Sequence, residues 1–89
     1  MLTKTRAYSY TLSMKVDETK FREACRIISE KYPEFNKEQI LIDVDGSELQ
    51  RFRNGNRIIE INNDCEVYAL YVDSDIDLSE HFKDIRSIG

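Results

Sequence analysis

From Ala7 the chain alternates, with Tyr8, Tyr10, Leu12, Met14 and Val16 on one side and Ser9, Thr11, Ser13 and Lys15 on the other. A period of two belongs to a strand with one buried face. At Asp17 the period changes. Asp17 offers an N-cap, Glu18 suits the positive end of a helix, and Phe21, Ala24, Cys25, Ile28 and Tyr32 recur at helical spacing, with Lys20, Arg22, Glu23, Arg26 and Glu30 outside. The helix should stop before Pro33, because the residue ahead of a proline is pushed out of helical dihedrals. The run ILIDV at 40–44 then reads as a second strand and DGS at 45–47 as its turn. In ELQRFRNGNRIIEI, Asn54-Gly55 lies between two strand-like runs and predicts a hairpin closed by a type I′ turn. Asn62-Asn63-Asp64 reads as a further turn, and CEVYALYV at 65–72 as a last strand with apolar residues on both faces.

These elements predict an α+β fold of one domain over residues 1–89, in the order β-α-β-β-β-β-α. An antiparallel sheet of about five strands would carry one amphipathic helix across one face, with a short C-terminal helix after it. One helix covers one side only, and Leu41, Ile58, Tyr68, Leu70 and Val72 are expected to look the other way. A homodimer contact is the first expectation for what covers them, ahead of the C-terminal helix or a partner protein.

Composition adds three constraints. With 89 residues, 40% of them hydrophobic and 34% charged, the chain can bury a single core but only about 60–65% of its unfolded surface. No apolar run of signal-peptide or membrane-spanning length occurs, so a cytoplasmic protein without a membrane is expected. Cys25 and Cys65 show no metal-ligand spacing and are expected as reduced core thiols. Charge is uneven: residues 1–33 hold seven Lys or Arg against four Asp or Glu, and residues 34–89 hold six against thirteen, within a net charge of −4.

Candidate chemistry is sparse. Asp73, Asp75, Asp77, Ser79, His81 and Asp84 have the offsets of calcium-loop ligands, but Leu78 stands where that loop needs glycine and Asp84 where it needs a bidentate Glu. No metal and no cofactor are expected. Asp77 and Glu80 instead suit a capping box, with Leu78, Phe82 and Ile85 packing inward from a short helix. Asp73 and Asp75, if extended, would set carboxylates about 6.6 Å apart, a spacing close to that of successive phosphates in a nucleic-acid strand. The segment ILIDVDGS resembles the first motif of haloacid dehalogenase phosphatases, in which the two aspartates act as nucleophile and acid, but the chain is too short for that family's domain and DVDGS reads as a turn. Arg51, Arg53 and Arg57 gather around Phe52 at the hairpin, a pattern that could contact phosphates, yet the surrounding half of the chain is acidic and direct nucleic-acid binding is not expected. His81 is the only histidine, and no catalytic residue is assigned.

Taken whole, the chain resembles the small early proteins of T-even-type phages, among them the Arn-type anti-restriction DNA mimics. The likeness rests on its length, on RAYSYTLSMKVDETKFREACRIISEKYPEF, and on the acidic segments LIDVDGSE and YVDSDIDLSE. The resemblance implies a non-enzymatic, anti-defence inhibitor that binds a basic DNA-recognising protein in place of DNA, with a dimer extending the charged surface. The residues expected to meet that partner are Asp43, Asp45, Glu48, Asp73, Asp75, Asp77, Glu80 and Asp84. The alternative is an immunity protein or antitoxin whose acids mask a nuclease toxin.

Overall fold

The computed structural model describes residues 7–82. Its elements are β1 (Tyr8–Ser13), α1 (Glu18–Lys31), β2 (Asn36–Lys37), β3 (Leu41–Ile42), β4 (Glu48–Asn54), β5 (Arg57–Asp64) and β6 (Ala69–Ser74). The strands form one antiparallel sheet in the order β1-β6-β5-β4, with β2 and β3 both on the outer edge of β4. A helical turn follows at residues 79–82. The expected α+β class and element order hold.

The predicted strand at 40–44 pairs only through Leu41 and Ile42, and it joins β2 in one interrupted edge. Lys37 lies opposite Phe52 and Leu41 opposite Leu49, so four steps along the edge match three along β4. One extra residue therefore bulges out. Gln50, 3% exposed, fills the break by donating from Nε2 to the carbonyls of Glu38 at 2.5 Å and Arg51 at 3.2 Å.

The β4–β5 hairpin forms as predicted, but its turn lies one residue later than Asn54-Gly55. Asn54 pairs with Arg57, leaving Gly55-Asn56 as the loop, and of these only Gly55 has a positive φ, 63°. That is the sign pattern of a type II′ turn rather than I′. The choice follows from the strands. In the observed register Phe52 faces Ile59 and Arg51 faces Glu60, whereas a turn at Asn54-Gly55 would set Phe52 against Arg57.

Nor do Asn62, Asn63 and Asp64 turn the chain; β5 runs through them, and the turn occupies residues 65–68. Asp64 Oδ1 accepts the N–H groups of Glu66 at 2.9 Å and Val67 at 3.3 Å, so this aspartate caps the turn from the strand end. The last loop residue, Tyr68, has φ 56°. A left-handed conformation costs a side-chain-bearing residue about 1–2 kcal/mol, and Tyr68 is 57% exposed. Replacing Tyr68 by Gly is therefore expected to raise stability by about 0.5–1 kcal/mol, read as a higher urea midpoint, while the β-branched Tyr68→Val lowers it.

Helix α1 follows its sequence pattern closely. Asp17 accepts the Lys20 N–H at 3.0 Å as N-cap, and Phe21, Ala24, Cys25 and Ile28 are buried. They pack on the sheet face that carries Tyr10, Leu12, Phe52, Ile59, Ile61, Leu70 and Val72, and together these residues form the core. The turn at 79–82 lies on the same side, with Phe82 against Tyr10 at 5.9 Å between ring centroids and His81 edge-on to Tyr32 at 5.3 Å.

This placement corrects the expected apolar far face. Leu70 and Val72 do share one face, but it is the buried one, in the core that α1 also enters. Tyr68 sits in the turn, Ile58 is half-buried, and Leu41 is exposed at the edge. The uncovered face is mostly polar, although Leu41 and Ile58 do lie on it as expected. One row across it runs Ser9, Asp73, Glu60 and Arg51, and the next Thr11, Tyr71, Asn62, Leu49 and Leu41. Arg51 donates from Nε to Glu60 at 2.8 Å, and Ser9 donates to Asp73 at 2.9 Å. A surface that satisfies its own polar groups needs no cover, so the original ground for a dimer through this face is gone.

Candidate acidic binding site

The β4–β5 register decides which acids come together. Glu48 pairs with Asn63 at one end of the sheet, and the loop at 43–47 and the turn at 65–68 meet beside them. The two loops are tied by the Cys65 N–H donating to Ser47 Oγ at 2.8 Å, and an added Cβ on Gly46 would lie 3.8 Å from Cys65 Sγ. The result is an open depression of about 330 Å³ whose lining, among the described residues, includes Asp43, Asp45, Glu48, Asp64 and Glu66 and no lysine or arginine.

Within this depression each loop carboxylate is set by its own backbone. Asp43 N–H donates to the Ser47 carbonyl at 2.9 Å and Gly46 N–H to the Asp43 carbonyl at 3.1 Å, closing the turn. Asp43 Oδ1 accepts from the Val44 N–H at 2.7 Å, and Asp45 Oδ1 from the Ser47 N–H at 2.9 Å. That backbone N–H, helped by the Ser47 hydroxyl, holds the Asp45 carboxyl below the usual carboxylate range. Asp64 Oδ2 accepts from the Tyr71 hydroxyl at 3.1 Å. Burial first, and this carboxylate second, push Tyr71 up to about 12. None of the five lining carboxylates forms an ion pair with a lysine or arginine among the described residues. The arginines of β4 are engaged elsewhere: Arg51 with Glu60 at 2.8 Å, Arg53 with Glu38 at 2.6 Å.

The acidic rim is also apolar. Leu41 and Ile42 line the depression, Val44 stands between Asp43 and Asp45, and Val67 follows Glu66; they are 53%, 67%, 103% and 61% exposed.

The other expected partner-binding acids lie elsewhere. Asp73 is in the middle of the open face, opposite Glu60. Asp75 closes the far end of the sheet, accepting the Ile58 N–H at 2.7 Å and donating its own N–H to the Ile58 carbonyl at 3.0 Å. Asp77 caps the turn at 79–82 through the Ser79 N–H at 3.0 Å and also accepts from the Tyr10 hydroxyl at 2.9 Å. The Ser79 groups, and then Tyr10, hold its carboxyl below the ordinary range. Glu80 is exposed on that turn, and Asp84 lies outside the described residues. From Ile58 to Asp64 the sheet spans about 20 Å, so the seven described acids do not share one patch. Asp43, Asp45 and Glu48 stand together, and the structure adds Asp64 and Glu66 to them.

Among the described residues, no group of three or more His, Cys, Asp or Glu side chains is placed to hold a metal, and no helix is long and apolar enough to cross a membrane. Asp73 lies in a paired strand and Asp77 caps a helical turn, so neither belongs to a calcium loop. Cys25 is buried, which pushes its thiol up to about 11, and Cys65 is half-buried; both are free thiols. No family model, curated protein or solved structure matches the chain.

Proposed function

We propose that this chain is a non-enzymatic binding protein that acts in the cytoplasm and grips a basic surface of a partner protein with the acidic end of its sheet. The observation that carries the reading is the convergence of five carboxylates, without lysine or arginine ion-pair partners among the described residues, in one depression rimmed by exposed aliphatic side chains. Fixed carboxylates steer and orient a cationic partner, and the apolar rim supplies contact area from which water can be excluded. The finer proposals are an anti-restriction inhibitor of phage type that occupies a DNA-recognising protein, and an immunity protein that masks a nuclease. The anti-restriction reading gives protection of unmodified incoming DNA on expression; the immunity reading gives rescue from a cognate toxin.

The site is tested directly with a labelled short peptide alternating Arg and Leu, followed by fluorescence anisotropy. Binding should weaken as salt rises from about 0.05 to about 0.3 M. The double change Asp45→Asn, Glu66→Gln should weaken it about five- to tenfold, since exposed charge contacts contribute up to about 1 kcal/mol each. Removing the same charge elsewhere, by Glu18→Gln and Glu34→Gln, should change it less than about twofold. Equal losses in the two double variants would sink the assignment.

A further inference from the structure

We propose that a second copy of this chain pairs with the outer edge of β2–β3, joining two sheets antiparallel about a two-fold axis beside the bulge. This inference concerns the edge and does not rest on the reading of the acidic depression, although the pairing draws on Ile42 and Glu48, which also line it.

The backbone sets the pairing. Glu38 donates its N–H to the Arg51 carbonyl, and Asp43 donates its N–H to the Ser47 carbonyl, each at 2.9 Å. Both residues thus point inward, toward β4. In an antiparallel ladder, residues next to an inward one direct N–H and C=O to the opposite side. Lys37 and Ile42 therefore present their main-chain groups to the outer edge, one on each side of the bulge. Two copies related by a two-fold axis between residues 39 and 40 place Lys37 of each opposite Ile42 of the other, so that both pairs can exchange N–H···O bonds. Self-complementarity of this kind is what a two-fold interface demands.

The side chains agree with the backbone. Lys37 lies opposite Phe52, and Ile42 opposite Glu48, so both face the α1 side of the sheet. Across the axis the row would read Glu48, Ile42, then Lys37 of the second copy. Glu48 and that lysine would stand two strand spacings apart, about 9.6 Å between Cα atoms, a span their extended side chains bridge over Ile42. Neither Lys37 nor Glu48 has an ion-pair partner among the described residues. Between Glu38 and Asp43 the edge is apolar: Ile40, Leu41 and Ile42 are 36%, 53% and 67% exposed. Protected edges carry charges or proline at such positions. On the α1 side a groove of about 550 Å³, bordered by Lys37, Ile40 and Ile42 and floored by Phe21, Cys25 and Gln50, leaves room for the second copy's Ile42.

Sedimentation equilibrium across a concentration series tests the proposal. The expected result is a species of twice the 10.5 kDa chain mass, with a dissociation constant raised at least about tenfold by Lys37→Glu or by Glu48→Lys alone and restored to within about threefold by the two together. Hydrogen exchange supplies a readout independent of the variants: the Lys37 and Ile42 amides should gain protection as concentration rises. A monomer at every concentration, a dimer indifferent to the Lys37 reversal, a charge swap that fails to restore, or unchanged exchange at the two amides overturns the proposal. Lys37 lies outside the acidic depression, so loss of the dimer in its variant with peptide binding intact separates the two readings.

Discussion

Truncating Phe52 to Ala is expected to cost about 3–5 kcal/mol, the range for deleting a fully buried aromatic side chain. A chain of this length has about 4–13 kcal/mol to lose, so the variant should be largely unfolded or poised at the edge of unfolding. Phe52 is fully buried on β4, opposite Ile59. It also marks where the broken edge strand attaches, through Lys37. The cavity would therefore open beneath the sheet's weakest border, where few neighbours can collapse into it. Urea unfolding checks this: the midpoint should fall by about 2–4 M with little change in slope. Val44→Ala, at a position with no burial to lose, should leave the midpoint unchanged. A Phe52→Ala loss below about 1 kcal/mol would mean that the Phe52 ring does not sit in the core.

Helix α1 was fully legible in the sequence because its signals are local: a cap at Asp17, a helical period, and a proline just past the end. The hairpin was legible too, but its turn was not fixed locally, since Gly55 can take the first or the second central position. Cross-strand pairing decides, through Phe52 with Ile59 and Arg51 with Glu60. The segment 62–64 departs from its expected turn for a related reason. Asn and Asp favour turns when their side chains bond to nearby backbone, whereas Asn63 here serves a backbone group 46 residues away. Residues 65–68 are therefore turn rather than strand, and alternation along β6 separates Leu70 and Val72 from Ala69 and Tyr71 without saying which pair meets the core. The turn expected at 62–64 also hid Asp64 and Glu66 from the candidate site. A signal was present: the alternation Ile59, Ile61, Asn63 continues the buried face one step into the polar run. Asp43, Asp45 and Glu48 were found because they flank one turn in the sequence. Their separation from Asp75 and Asp77 depends on sheet topology, which charge counting does not contain.

Asn63→Ala should cost about 1–3 kcal/mol, the loss that follows when a partly buried donor is left without its acceptor. Asn63 is 6% exposed, and its Oδ1 accepts the Asp17 N–H at 2.9 Å. Asp17 is itself the N-cap of α1, so this one amide fixes the start of the helix to the end of β5. The Asn63 Nδ2 also reaches Glu48 Oε1 at 3.4 Å, holding a carboxylate that lines the acidic depression. Truncation thus acts twice: it orphans the Asp17 N–H, and it frees Glu48 to turn into solvent. Asn62→Ala is the matched control, because Asn62 lies one residue back on the open face and should change stability by less than about 0.5 kcal/mol. Thermal unfolding of the two variants separates the cases, with a drop of about 4–8 °C expected per kcal/mol for a domain of this size. Equal behaviour of Asn62→Ala and Asn63→Ala would show that the helix start is held by packing of Phe21 and Ala24 alone. In Asn63→Ala molecules that remain folded, the Arg and Leu peptide should still bind, weakened no more than a single loosened carboxylate allows, about two- to fivefold. The fold and the acidic site share this asparagine but depend on it to different degrees, and measuring both on one variant tells them apart.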